Sequence, residues 1–299
     1  MEALRESRAV GATTPPLIDD PIGRAFRAVA KRLPRNEALV TRHQGVRLTS
    51  AELDRESDRL ASALLRAGLK KGERVGIWAH NGVEWVLMQL ATAKAGIVLV
   101  NINPAYRITE LEYALNKVGC RMLVTMTAFK TSDYAGMVRE LAPELARTAP
   151  GAELDAKRVP SLRRVVTLGE AAPPPGMTRF ADLLATGDPA DPAIVDAEAT
   201  LAATDPINIQ FTSGTTGFPK GATLTHRNIL NNGFFIGEAM KLTERDRLCI
   251  PVPLYHCFGM VLGNLACLTH GSTILASRSS IFRRCAPASW PARRARPKS

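Results

Sequence analysis

The sequence has no apolar run of the ~20 residues that a membrane-spanning helix needs. Its longest apolar stretches lie around Val86–Val100 and Met260–Leu268; the first is interrupted by Lys94 and the second is short. The opening residues, MEALRESRAVGATTPP, carry two glutamates and no continuous apolar segment, which argues against a secretory signal. Cysteine is scarce. The five residues Cys120, Cys249, Cys257, Cys267 and Cys285 form no CxxC pair and have no histidine at zinc-finger spacing. A disulfide scaffold is thereby excluded, and the thiols read as reduced and mostly buried. His43, His80 and His270 are scattered and join no metal-ligand spacing, so no protein-bound metal is expected. The adjacent pair His256–Cys257 argues little for a thiol nucleophile, because sequence neighbours rarely face one another. A soluble, cytoplasmic protein is the expectation.

Acidic residues are missing altogether from the end of the chain. Arg278–Ser299 holds six arginines and one lysine without an Asp or Glu. Without those seven, 32 basic residues face 28 acidic ones, so most of the formal charge of +11 belongs to this segment. It has no helical period and no aromatic interleaving, and it reads as a non-native or truncated end; a functional basic tail is the alternative. Nucleic-acid binding through it has the weakest support and would be lost with the tail and with salt.

The rest is ordinary globular sequence, with 45% hydrophobic and 22% charged residues in a chain long enough for two subdomains. Strand-like and helix-like segments alternate, which predicts an α/β fold with largely parallel strands. The spacing predicts helices over Asp19–Leu33, the stretch capped by Thr49 and Glu52, Val83–Ala95, a segment carrying Leu111, Ala114, Leu115 and Val118, and Phe129–Arg147. Strands are expected at ERVGIWA, IVLVNI, RMLVTM and RRVVTL. A loop rich in proline, glycine and aspartate, with a short helix at Thr178–Ala185, places a subdomain linker near 170–206. The second block reads as strand Ile207–Phe211, a glycine-rich loop, helix Thr225–Met240, strand Leu248–Pro251, a helix near Phe258–Thr269 and the strand STILA. Residues 1–16 are expected to be a flexible N-terminus.

The glycine-rich loop, TSGTTGFPKG at Thr212–Gly221, carries the chemistry. Glycines let backbone N–H groups curl into an anion-binding concavity. Hydroxyls at Thr212, Ser213, Thr215 and Thr216 add donors, and Lys220 adds a mobile positive charge. The combination suits a polyphosphate. The Walker pattern fails, because Lys220 stands between Pro219 and Gly221, and a GxSxG elbow fails around Ser213. His226 and Arg227 read equally as phosphate-facing groups or as solvated residues at a helix start. Trp78 and Trp85 read as core.

These residues resemble a known family. TSGTTGFPKG is similar to the signature loop of the AMP-forming adenylate enzymes: acyl-CoA synthetases, luciferases and the adenylation domains of peptide synthetases. LTHRNILNN and PVPLYHCFGM resemble the family's next two motifs. NINPAYRITELEYALN is similar to the fatty-acyl-CoA branch, closest to medium-chain fatty-acyl-CoA synthetases. The likeness spans about residues 17–277. It implies the large N-terminal domain of such a ligase, with stacked α/β subdomains. It also implies a two-step reaction in which a fatty acid attacks ATP to give acyl-adenylate and pyrophosphate, and coenzyme A then takes the acyl group. ATP, Mg²⁺ and coenzyme A are the implied cosubstrates. Thr212, Ser213, Gly214, Thr215, Thr216, Gly217, Phe218, Pro219 and Lys220 would wrap the phosphates, and His256 would border the acyl carboxylate.

The likeness stops after Ala276. The family's ribose-binding acid, its acidic residue near Mg²⁺, its hinge, and the small C-terminal domain with a catalytic lysine have no counterpart in Ser277–Ser299. No catalytic residue is therefore assigned. A C-terminally truncated ligase with an incomplete second subdomain and little or no turnover is expected. The alternatives are a non-catalytic nucleotide- or lipid-binding fragment, or one half of a split ligase paired with a separate chain.

Overall fold

A computed structural model describes residue 11 and residues 13–149, 152–212 and 219–276. The loop residues Ser213–Phe218, the basic segment 278–299 and most of the expected flexible N-terminus lie outside the described residues.

Helix α1 (Ile22–Arg32) leads into the hairpin of β1 (Glu37–Thr41) and β2 (Val46–Thr49), then α2 (Ser50–Arg66), β3 (Arg74–Trp78), α3 (Val83–Ala95) and β4 (Val98–Asn101). The chain continues through α4 (Ile108–Val118), β5 (Cys120–Met126), the two-residue strands β6 (Ala128–Phe129) and β7 (Ser132–Asp133), α5 (Tyr134–Leu141) and β8 (Arg164–Leu168). After β9 (Thr178–Arg179), α6 (Phe180–Ala185) and α7 (Pro192–Ala199) come β10 (Pro206–Thr212), β11 (Lys220–Thr225) and α8 (His226–Met240). Strand β12 (Arg247–Ile250), a wide π-type helix over Phe258–Leu265, α9 (Ala266–His270) and β13 (Thr273–Ala276) close the described part. None of these helices is long and apolar enough to cross a membrane.

Two sheets result. The larger has the order β11-β10-β4-β3-β5-β8-β9 and is parallel throughout except for β11. The smaller has the order β12-β13-β1-β2, parallel except for β2. Alternation sorts the large sheet's side chains onto two faces. Val75, Ile77, Leu99, Met122 and Val124 point into a core shared with α1, α2 and α3 and with Leu39 and Ile274 of the small sheet. Trp78, Val98, Val100 and Leu123 point the other way, onto Leu111 and Leu115 of α4 and Tyr134 and Val138 of α5. Trp85 is buried in the first core and Trp78 in the second, as expected.

The capping box that predicted α2 is in place: the Glu52 N–H donates to Thr49 Oγ1 at 3.3 Å, and the Thr49 N–H donates to Glu52 Oε2 at 2.8 Å. Helix α3 has the expected bounds but no polar face; every residue from Trp85 to Ala95 is buried between the sheets and the neighbouring helices. Its Lys94 is buried with two partners on α2, Nζ lying 2.6 Å from Asp54 Oδ1 and 2.8 Å from Asp58 Oδ1. Arg27 of α1 reaches the same carboxylates and Glu198 of α7, so one ionic network ties four helices. Burial pushes the Asp58 carboxyl up, but the Arg27 hydrogen bond and the Lys94 charge outweigh it and hold the group below its ordinary range.

Three expectations need correction. Phe129–Arg147 is not one helix: Lys130 takes a positive φ, Asp133 caps a new helix by accepting from the Gly136 N–H, and Pro143 follows its end. The loop motif does not run directly into α8, because Lys220–Thr225 forms β11 first. The stretch 170–206 contains α7 besides the expected short helix, and its Asp191 binds Ser62 Oγ at 2.7 Å and Arg66 Nε at 2.9 Å. Beyond it, β10 pairs with β4, so both sides of that segment share one sheet.

Candidate functional site

Strands β3, β4 and β10 run parallel, so their C-terminal ends meet at one edge of the large sheet. In open α/β sheets this edge is where ligands bind. Thr212 ends β10 and Lys220 begins β11, and the two pair directly across the ladder. Residues so paired are about 5 Å apart. The segment between them therefore leaves and returns within one rung, the geometry a short anion-cradling loop requires. Thr212 Oγ1 donates to the Lys220 carbonyl at 3.5 Å, a long contact, and both residues are exposed. Tyr113 of α4 holds the returning arm, its hydroxyl donating to the Pro219 carbonyl at 3.2 Å. The structure thus places Thr212, Pro219 and Lys220, while Ser213, Gly214, Thr215, Thr216, Gly217 and Phe218 lie outside the described residues.

His256 stands in the loop between β12 and the π-type helix and is exposed. The Phe258 N–H donates to its Nδ1 at 3.2 Å, and Cys257 Sγ lies 3.6 Å from the same nitrogen. The thiol does approach the ring, contrary to the expectation for sequence neighbours. An accepting Nδ1 leaves the proton of a neutral ring on Nε2, where it can donate to a carboxylate. Asn101, which ends β4, donates from Nδ2 to the Tyr255 carbonyl at 3.1 Å. In the ladder Asn101 pairs with Gln210, two residues before Thr212. The His256 loop therefore lies against the end of β4, beside the strand that ends at Thr212.

His226 is not a phosphate-facing group. It is fully buried, and its Nδ1 accepts from the Ile22 N–H at 3.2 Å. Burial pushes its pKa down to about 4, only partly opposed by the Asp205 charge. Arg227 is exposed, with Nη1 3.8 Å from Asp19 Oδ1. Asn101, Asn208 and Tyr113 were not singled out from sequence; a polar Asn ending the apolar run IVLVN was the one available signal. Among the described residues no group of three His, Cys, Asp or Glu side chains can hold a metal ion.

The chain shares its α/β fold with solved CoA ligases. It superposes on an anthranilate CoA ligase solved with anthranoyl-AMP at a TM-score of 0.73 and 22% identity, covering 89% of this chain and 46% of that one. A long-chain-fatty-acid-CoA ligase of Archaeoglobus fulgidus gives 0.71 at 21% identity, over 91% and 50%. The chain belongs to the AMP-binding enzyme family, whose model matches residues 26–293. The mitochondrial medium-chain acyl-CoA ligase of Macaca fascicularis is 47% identical over 278 residues, 91% of this chain and 44% of that protein. The chain thus spans somewhat under half the length of the curated relatives it matches.

Proposed function

We propose that the chain is the phosphate- and carboxylate-binding part of an AMP-forming fatty acid–CoA ligase. A fatty-acid carboxylate oxygen attacks the α-phosphorus of ATP, the bond to the bridging oxygen breaks, and pyrophosphate leaves with its charge. Thr212 to Lys220 wrap the β- and γ-phosphates: backbone N–H groups and the hydroxyls of Thr212, Ser213, Thr215 and Thr216 donate, and Lys220 neutralises charge as it grows on the leaving group. His256 donates from Nε2 to the carboxylate. Coenzyme A thiol attacks the acyl-adenylate in the second step. Mg²⁺, which the resemblance implies, has no cluster of ligands among the described residues and is assigned none.

The observation that carries this reading is the Thr212–Lys220 rung beside the Tyr255–His256 loop on adjacent strand ends. Turnover by this chain alone is low in this reading, with a separate chain supplying the remaining steps in the split-ligase form. The free cysteines among the described residues fit a reducing interior such as the cytoplasm. Pyrophosphate release with ATP, Mg²⁺ and octanoate, beside Lys220→Ala, tests the proposal. Release that needs Lys220, or ATP binding that needs it without release, supports the phosphate role. Absence of both binding and release sinks it.

A further inference from the structure

Two asparagine side chains bracket the backbone that carries His256. Asn81, in the turn after β3, donates from Nδ2 to the Val252 carbonyl at 2.9 Å and accepts at Oδ1 from the Leu254 N–H at 2.8 Å. Asn101 donates to the Tyr255 carbonyl, the residue next to His256. Its Oδ1 in turn accepts from Asn208 Nδ2 at 2.9 Å, and Asn208 lies on β10, four residues before Thr212. All three are buried, at 8%, 2% and 1% exposure for Asn81, Asn101 and Asn208.

Burying an amide costs free energy unless both its ends are bonded. On the same face of β4 the alternate position holds the buried, apolar Leu99, so an apolar side chain fills this layer readily. A leucine at 81 or 101 would fill comparable space, but it could neither donate to nor accept from the loop backbone.

We propose that Asn81 and Asn101 are positioning residues for the acyl carboxylate. They fix the backbone from Val252 to Tyr255 and so set where His256 stands, and Asn101 fixes that place, through Asn208, relative to the strand leading into the phosphate loop. The arrangement gives the carboxylate and the phosphates one common frame, which an in-line attack needs because small misplacements cost large factors in rate. The inference rests on the reading of His256 as a carboxylate-binding residue.

Calorimetry on the 299-residue chain tests it, with octanoate and ATP titrated separately into wild type, Asn101→Leu, Asn81→Leu and Asn81→Ser. Asn264→Leu serves as a control, since Asn264 is equally buried but bonds to Gln89 and not to the loop. The expected result is octanoate affinity about tenfold weaker in the Asn81 and Asn101 variants, with ATP affinity within about twofold of wild type. The His256 ring resonances move in the same variants, while Asn264→Leu loses stability and keeps octanoate affinity. Unchanged octanoate binding with unmoved His256 resonances overturns the proposal and leaves the function standing. Parallel loss of both ligands, or an equal octanoate loss in Asn264→Leu, also overturns it. If wild type binds neither ligand, the functional reading fails first and takes the proposal with it. Should Asn101→Leu not fold, Asn81→Ser carries the comparison.

Discussion

Lys94 Nζ lies 2.6 Å from Asp54 Oδ1 with none of the lysine side chain exposed. Asp54 and Asp58 stand one helical turn apart on α2, and Lys94 closes the gap between them from α3. Replacing it by methionine keeps the volume and leaves two carboxylates with Arg27 alone. Lys94→Met is expected to lower stability by about 3 kcal/mol, read from urea unfolding, because removing one member strands the others' charge. Adding Asp54→Asn recovers part of the loss. An unchanged midpoint would show that Arg27 alone suffices.

His226 gives the protein a stability slope on the acid side of neutrality. Unfolded, the ring titrates near 6.5; folded, burial holds it at about 4. Between these values the unfolded chain binds a proton that the folded chain refuses, so the contribution is whole above pH 6.5 and shrinks as pH falls toward 4. The loss amounts to roughly 3 kcal/mol over that window. Urea midpoints from pH 7 to 5 should fall in wild type and fall less in His226→Gln; parallel curves would refute the assignment.

Gly187 tests how tightly the supposed linker is packed. A Cβ there would lie 1.9 Å from the Arg59 carbonyl oxygen of α2. Gly187→Ala must shift backbone and is expected to cost about 1–3 kcal/mol. A melting temperature equal to wild type would mean that the segment lifts off α2 freely.

Lys220→Ala separates the ends of the nucleotide. With the lysine on the β- and γ-phosphates, ATP affinity should drop about tenfold, the worth of one charge-assisted contact, while AMP affinity barely moves. Equal losses for ATP and AMP would move Lys220 away from the terminal phosphates.

Much of this architecture is legible in the sequence because local signals agree with the fold. Thr49 and Glu52 announce α2, Gly96 ends α3 in the left-handed region, and the apolar runs mark the central strands. Local signals fail where partners are distant. Lys94 reads as a mere interruption because Asp54 and Asp58 lie far back along the chain. Strand β11, KGATLT, carries little apolar character; among the described residues it pairs with β10 alone, at the sheet's edge. Asn81 drew no expectation from the sequence, and its hold on Val252 and Leu254 spans 171 and 173 positions that no periodicity encodes. The loop proposed to hold the phosphates stands out by composition and resemblance. Only the structure shows that its two arms are clamped as opposite residues of one hairpin.

Strand β1 lies between β2 and β13, with Leu39 opposite Ile274. On a ribosome, β1 and β2 emerge together, but the parallel neighbour of β1 is made only after almost the whole described chain. At cellular elongation rates that interval is on the order of tens of seconds. Meanwhile the nascent hairpin shows one unpaired edge, the kind of surface that recruits other strands or a chaperone. The order of synthesis thus has the large sheet built before the small one can close, and it makes that interval the time at which the chain is most exposed to mispairing.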